Sequence, residues 1–176
     1  MIDKIDIDPL VSSFVDSFLK TAQGLVQKGE EVVPQVMLVA RENENPVIIP
    51  LVGASVFFES KDGKIKLKGV VKNAWKGISS DKPALKLIAV LVLSDVWIER
   101  IATAEWEKMG RKRKMPFAPK PGMAEALMIV ASLSDGDVLY QWPYVRGEQE
   151  VVFTAEPSVD KNWPGAEGLL VGMWPL

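Results

Sequence analysis

The sequence predicts an α+β fold in which a mostly antiparallel sheet of five to six strands is covered on one face by two helices. The first observation is the segment from Leu85 to Ile98, in which residues 87–93 are all apolar. A strand with one solvated face alternates apolar and polar residues, so this run must be covered on both faces. The second is the order of the remaining segments, which reads helix, hairpin, helix and then further strands.

The first helix is predicted to begin at Pro9, because Asp8 can cap the free N–H groups of the first turn and proline suits the first helical position. Lys28 and Gly29 supply a basic last turn and a stop. Between these signals, apolar residues recur every three or four positions and form one broad face that is expected to be core: Leu10, Val11, Phe14, Val15, Phe18, Leu19, Ala22, Leu25 and Val26.

Residues 32–41 and 46–51 are predicted to be two strands of a hairpin, joined by the loop at residues 42–45. Pro34 and Pro50 cannot donate a backbone hydrogen bond to a neighbouring strand. The hairpin is therefore expected at an edge of the sheet.

Residues 61–79 fit two patterns. Asp62 and Gly63 followed by alternating residues suggest a turn and a strand. A helix is favoured because only Ile65 lies off its apolar face. That face carries Leu67, Val70, Val71, Ala74 and Ile78, and a second face carries Lys64, Lys68, Lys72 and Lys76.

Residues 123–133, 138–146 and 151–155 are predicted to form an antiparallel meander. Two segments have no regular pattern. Residues 99–122, called the basic arm below, are expected to protrude from the body, since a connection of this length is uncommon within a compact domain. Residues 157–176 form an apolar, glycine-containing tail that is expected to dock on the body or on a partner. The length of 176 residues predicts a single domain, residues 1–176.

Composition excludes several classes of chemistry. The chain contains no Cys and no His, which removes thiol nucleophiles, Ser–His systems and the usual zinc ligands. A metal would need oxygen ligands, and no metal or cofactor motif is present. The acidic N-terminus does not resemble a signal peptide, and no apolar run reaches membrane-spanning length. We therefore expect a cytoplasmic protein that does not enter a membrane.

The basic arm is the first candidate site. Residues 107–120 carry six basic residues against Glu107, a local charge of +5, although the whole chain has a net charge of -2. The candidate binding residues are Arg111, Lys112, Arg113 and Lys114, which could contact phosphates or nucleic acid. The alternatives are a solvated loop, or an arm that lies on an acidic surface of its own body or of a second subunit. Nucleic-acid binders usually interleave aromatic residues with basic ones, and few aromatics are near, which argues against nucleic acid.

A group of carboxylates is the second candidate: Asp95, Glu99, Glu105 and Glu125. If the strands on either side of the arm pair antiparallel, Asp95 and Glu125 could come close, and one of them would then have a raised pKa. Such a pair could serve acid–base catalysis or bind a divalent cation. A slip of one residue in register would separate them onto opposite faces. Asp95 would then simply mark the solvated end of its strand.

An aromatic group is the third candidate. Tyr140, Trp142 and Tyr144 share one face of their predicted strand, and Trp97 could lie near them. Trp97 and Trp142 are therefore candidate binding residues. Aromatic stripes of this kind line ligand clefts in some proteins, but they more often form core or a subunit interface.

The motif Ser94-Asp95-Val96-Trp97, a proline-containing arm, Glu125-Ala-Leu, an apolar strand and Asp135-Gly136 together resemble small uncharacterised bacterial and phage proteins. The resemblance covers the second half of the chain. It implies a strand–arm–strand arrangement and carries no activity with it.

The function expected from the sequence is a non-enzymatic module that associates with itself or with a protein partner, most simply as a homodimer. If two helices cover one face of the sheet, a second copy would cover the other face. One alternative is a carboxylate-based enzyme or divalent-cation site around Asp95 and Glu125. Another is a nucleic-acid accessory protein that uses the basic arm.

Overall fold

The computed structural model describes residues 7–59, 62–98, 124–147, 150–161 and 172–175. Its elements follow in the order α1 (Pro9–Gln27), β1 (Gln35–Glu42), β2 (Asn45–Pro50), a 3-10 helix (Ala54–Glu59), α2 (Gly63–Asp81), β3 (Leu85–Ile98), β4 (Ala124–Leu133), β5 (Gly136–Arg146), β6 (Val151–Phe153) and β7 (Ser158–Lys161). The basic arm lies outside the described residues.

The strands form one sheet in the order β2-β1-β3-β4-β5-β6, and β7 also pairs with β5. Every pair is antiparallel. The predicted α+β class with an antiparallel sheet is therefore confirmed, with β3 in the interior as expected. The strand count exceeds the expected five to six, because β6 and β7 pair with successive parts of the outer edge of β5. Within the described part of the chain, neither helix has the length and hydropathy needed to cross a bilayer.

The two helices lie on opposite faces of the sheet, and not on one face as expected from the sequence. The reason is that neighbouring residues of each buried strand point to opposite faces, and both sets are apolar. Helix α1 packs in one core, which we call the α1-side core; it includes Val15, Leu19, Met37, Val39, Leu91 and Ile129. Helix α2 packs in the α2-side core, which includes Leu67, Val71, Leu38, Val90, Val130 and Met173.

A β-bulge decides which face each residue of β3 covers. Val39 pairs with Ala89, but the next residue of β1, Ala40, pairs with Leu87, so Ile88 has no partner on β1. The extra residue reverses the alternation of side chains along β3. Leu87 therefore packs with the α2-side core, although Ala89 belongs to the α1-side core.

Both predicted helices are present. In α1, the carboxylate of Asp8 accepts a hydrogen bond from the Leu10 N–H at 2.9 Å and also pairs with Arg41 at 3.2 Å, which fixes the start of the helix to the end of β1. Helix α2 confirms the helical interpretation of residues 61–79. Ile65, the residue off the predicted apolar face, is 76% exposed.

Strand β2 forms one edge of the sheet, as predicted from its prolines. The Leu51 N–H donates to the Val36 carbonyl at 2.8 Å, so Val36 and Leu51 form a hydrogen-bonded pair. Such pairs alternate along an antiparallel ladder, so the backbone groups of residues 46, 48 and 50 point away from β1. Positions 46 and 50 are proline. Within β2, only Ile48 therefore presents an N–H at the open edge.

Candidate functional site

Four polar side chains meet where β3 ends, β4 begins and β5 ends. They are Asp95, Glu125, Tyr144 and Arg146, and we call them the carboxylate cluster. Glu125 pairs directly with Tyr144, and Asp95 pairs with Leu127. Asp95 and Glu125 therefore occupy diagonal positions on the same face of adjacent strands. That face is the α1 side, because Leu127 and Tyr144 belong to the α1-side core.

The hydroxyl of Tyr144 is the centre of the cluster. It lies 2.7 Å from both carboxylate oxygens of Asp95 and 3.3 Å from Oε1 of Glu125. It also accepts a hydrogen bond from Nη2 of Arg146 at 3.2 Å. The hydroxyl has a single proton, so the shorter distance assigns its donated hydrogen bond to Asp95.

Arg146 neutralises Glu125. Its Nε lies 2.9 Å from each carboxylate oxygen of Glu125, and its Nη2 lies 3.7 Å from Oδ2 of Asp95. The guanidinium carbon is 5.4 Å from the centroid of the Tyr144 ring. The exposed fraction of the side chain is 9% for Glu125, 21% for Asp95 and 39% for Arg146. The cluster is therefore buried at Glu125 and open to solvent at Arg146.

The surroundings shift the acidity of three of these groups. Burial raises the pKa of Asp95 above its usual value, and the Glu125 charge adds to the rise, while the Tyr144 hydrogen bond and Arg146 oppose it. Burial, the hydrogen bond to Asp95 and the two negative charges raise the pKa of Tyr144. The hydrogen bond to Glu125 is the largest of the effects that raise the pKa of Arg146. At neutral pH, Tyr144 is therefore a neutral donor and Arg146 a cation.

The sequence left open whether Asp95 and Glu125 come close together. In the structure they do, since β3 and β4 pair antiparallel and both carboxylates reach the Tyr144 hydroxyl. A half-buried carboxyl beside a phenol and a guanidinium can accept or release a proton. The cluster is less suited to binding a divalent cation, because Glu125 is already paired with Arg146 and the positive charge of Arg146 repels a metal ion. Among the described residues, no group of three or more acidic side chains is placed to hold a metal ion.

The other candidate residues are distributed differently. Trp142 packs beside Phe153, with ring centroids 4.7 Å apart, and its Nε1 donates to the Ala155 carbonyl at 2.8 Å. It holds the chain between β6 and β7 in place and belongs to the edge of the α1-side core. The backbone of Trp97 pairs with Glu125, but its side chain lies outside the described residues. Arg111, Lys112, Arg113 and Lys114, with Glu99 and Glu105, also lie outside them.

Sequence reasoning missed Arg146 and the part that Tyr144 plays among the carboxylates. The sequence pattern puts Tyr144 on the aromatic face of its strand, and Arg146 follows two residues later on that face. The alternation of side chains along β5 therefore already indicates that Tyr144 and Arg146 lie on the same face. Only the register of Glu125 against Tyr144 connects it to the acidic residues.

A second surface was also not predicted. Four exposed aliphatic side chains lie just before β1, in the connection from β2 to α2, or in the first turn of α2, and we call them the apolar rim: Val33, Val52, Val56 and Ile65. Val52 is 95% exposed and stands on a turn with Gly53, whose φ of +81° suits glycine. A cleft of about 230 Å³ lies beside it, lined by residues 33–37 and 50–55.

Comparison with known proteins gives no relative. No family model, no curated protein and no solved structure matches this chain.

Proposed function

We propose that this chain is a non-enzymatic module that binds a second copy of itself, with the apolar rim as the contact surface. One observation carries the proposal. Val52, the most exposed aliphatic side chain among the described residues, lies at the border of a cleft that Val33 also lines. A projecting valine next to a cleft is self-complementary, because a twofold axis would place the Val52 of each copy against the cleft of the other.

Burial of the rim supplies the driving force. Removing apolar surface from water stabilises a complex by about 25 cal/mol per Å². The net charge of -2 gives little electrostatic repulsion between two copies. The β2 edge offers only the Ile48 N–H, so side-chain contact is a better basis for association than strand addition.

The structure supports self-association for a different reason from the one that the sequence suggested. From the sequence, both helices are expected on one face of the sheet, so that a second copy covers the other face. In the structure, α1 and α2 cover one face each. The hydrogen bonds and ion pairs of the carboxylate cluster are formed among its own four side chains, which is compatible with a structural role.

Sedimentation equilibrium of three proteins tests this proposal. At about 100 µM the wild-type chain is expected to approach twice its 19.4 kDa mass, because even a Kd of ~10 µM gives mostly dimer at that concentration. Val52→Asp places a charge in the contact and is expected to give the monomer. Val152→Asp changes a half-exposed valine on β6 and is the matched control that stays dimeric. A wild-type monomer, or a Val52→Asp protein as dimeric as the control, would contradict the proposal.

A second candidate is a carboxylate-based site for proton transfer or for a divalent cation, favoured by the approach of Asp95 and Glu125 to one hydroxyl. Titration with Mg²⁺ or Ca²⁺, followed through the carboxyl ¹³C signals, tests the cation version. Saturable shifts at both residues, with the Glu125 shift lost in Asp95→Asn, would support it. Unchanged signals would remove it. The nucleic-acid hypothesis stays a prediction, because its basic residues lie outside the described chain.

A further inference from the structure

The last described residues, 172–175, are held by two side chains of the β4–β5 hairpin. The backbone N–H of Gly172 lies 3.1 Å and 3.0 Å from the two carboxylate oxygens of Asp137. The next backbone N–H, of Met173, donates to Oγ of Ser132 at 3.0 Å. The Ser132 hydroxyl in turn donates to Asp137, which leaves its oxygen free to accept from Met173. Asp137 and Ser132, which are hydrogen-bonded to each other, thus accept hydrogen bonds from two successive peptide N–H groups.

Two features make this contact selective for sequence. Met173 is fully buried in the α2-side core. Gly172 has a φ of +70°, and a Cβ at this position would lie 3.3 Å from Nζ of Lys68. A side chain at position 172 would therefore be strained by its backbone conformation, and the flexible end of Lys68 would have to move slightly to make room for it. The contact requires glycine followed by a bulky apolar residue.

The segment is not part of the sheet. Residues 172–175 belong to no strand, and the polar contacts described for them come from side chains of the hairpin and not from a backbone ladder. In sequence they are separated from β7 by residues 162–171. A segment held in this way can detach while the seven strands stay paired, because the described residues 172–175 contribute no ladder hydrogen bond to the sheet.

We infer that Ser132 and Asp137, with the α2-side core, form a peptide-binding site that the C-terminal segment occupies as a separable latch. The ligand class is a peptide in which a glycine in the left-handed backbone conformation is followed by methionine or a similarly bulky apolar residue. Asp137 fixes the glycine N–H, Ser132 fixes the next N–H, and the core receives the apolar side chain. This site is on the α2 side of the sheet, and its existence does not depend on the proposed self-association.

Hydrogen exchange of the intact chain is the first test. The amide of Met173 is expected to exchange at least about tenfold faster than the amides of β4, because the latch opens without global unfolding. Asp137→Asn should speed the exchange of Gly172 and Met173 further and leave β4 unchanged. Asp160→Asn, which changes an exposed carboxylate on β7, is the matched control. Equal protection of Met173 and β4 would overturn the inference.

Exchange in trans is the second test. A protease site introduced within residues 163–170 lets the folded full-length chain be cut, and a fluorescent peptide of residues 170–176 is then added. The peptide is expected to replace the native segment. Peptides with Gly172→Ala or Met173→Ser should compete at least about tenfold less well, the effect of 1.4 kcal/mol in binding. Three results would overturn the site: unfolding on cleavage, no exchange with the peptide, or equal competition by the Gly172→Ala peptide.

Discussion

The hydroxyl of Tyr144 donates a hydrogen bond to Asp95 at 2.7 Å, although their strands, β5 and β3, are separated by β4. The contact therefore spans the width of three strands at one end of the sheet. It connects a fully buried phenol to a carboxylate that is 21% exposed. The stability of this end of the sheet should depend on it.

Two tyrosine-to-phenylalanine variants separate the effect of a satisfied hydroxyl from that of an unsatisfied one. Tyr144→Phe removes the donor to Asp95 and is expected to cost about 1–2 kcal/mol of unfolding free energy. It should also raise the pKa of Asp95 further, because the lost hydrogen bond favours the charged form. Burial raises the pKa of Tyr140, and the nearby Ser12 side chain opposes the rise. No described residue meets hydrogen-bond geometry with the buried Tyr140 hydroxyl, however.

Tyr140→Phe removes that unpaired polar atom and is expected to be neutral or stabilising by up to about 1 kcal/mol. Urea denaturation of both variants, with a carboxyl ¹³C titration of Tyr144→Phe, measures these effects. A Tyr140→Phe protein that is less stable than Tyr144→Phe would contradict the assignment of the two hydroxyls.

Asp95 should make the free energy of unfolding depend on pH. Its folded-state pKa is raised, so the folded protein binds the Asp95 proton in a pH range where the unfolded chain has lost it. The free energy of unfolding from this group is therefore highest at low pH and falls as pH rises through the folded-state pKa. Asp95→Asn has no such loss. Relative to wild type, the variant should gain stability as pH rises from about 4 through the folded-state pKa of Asp95.

Denaturation of both proteins at a series of pH values measures the difference directly. A difference that stays constant, or that shifts in favour of wild type as pH rises, is incompatible with a raised pKa at Asp95.

Replacing Arg146 should be more costly than replacing an arginine in an ordinary surface pair. Arg146→Met leaves the buried Glu125 without a cation, which we expect to cost about 1–2 kcal/mol, since the arginine itself is 39% exposed and partly screened. The matched control is Arg41→Met, which breaks the more exposed pair with Asp8 at an expected cost of about 0–1 kcal/mol. Thermal or urea unfolding compares them. Equal losses of unfolding free energy in the two variants would show that burial of Glu125 does not increase the cost of removing its arginine partner.

The prolines of β2 should protect the sheet edge. Pro46→Ala together with Pro50→Ala restores two outward N–H groups beside Ile48 and opens the edge to strand addition. The double variant is expected to form species larger than wild type as concentration rises, detected by light scattering and thioflavin fluorescence. Pro9→Ala, at the start of α1, is the control. A double variant with the wild-type mass at every concentration would contradict this role.

The two helices and most strands could be predicted from local sequence because they depend on local chemistry, whereas β7 falls within the tail at residues 157–176 and was not predicted. Asp8 and Pro9 predict the start of α1, and the lysine and apolar faces of α2 predict a helix. Pro50 predicts an edge strand. Each of these features was confirmed, since it rests on capping, periodicity or a missing N–H within a few residues.

The placement of the helices could not be read in this way. Both parities of β3 are apolar, so the sequence shows that two faces are covered but not which element covers each. The bulge at Ile88 adds a reversal of faces that no local pattern marks. Likewise, Arg146 and Tyr144 join Asp95 and Glu125 only through strand register, and Ser132 meets Met173 across 41 residues of sequence.

The most direct test of the account is the distance between two copies of the apolar rim. The chain contains no Cys, so Ile65→Cys can carry a single spin label on each protomer, and pulsed dipolar spectroscopy then measures the intermolecular distance. Self-association through the rim predicts a defined distance that disappears when Val52→Asp is added. A dimeric sample with no dipolar coupling at position 65, but with coupling from a label at Val152→Cys, would place the interface elsewhere and contradict the proposal.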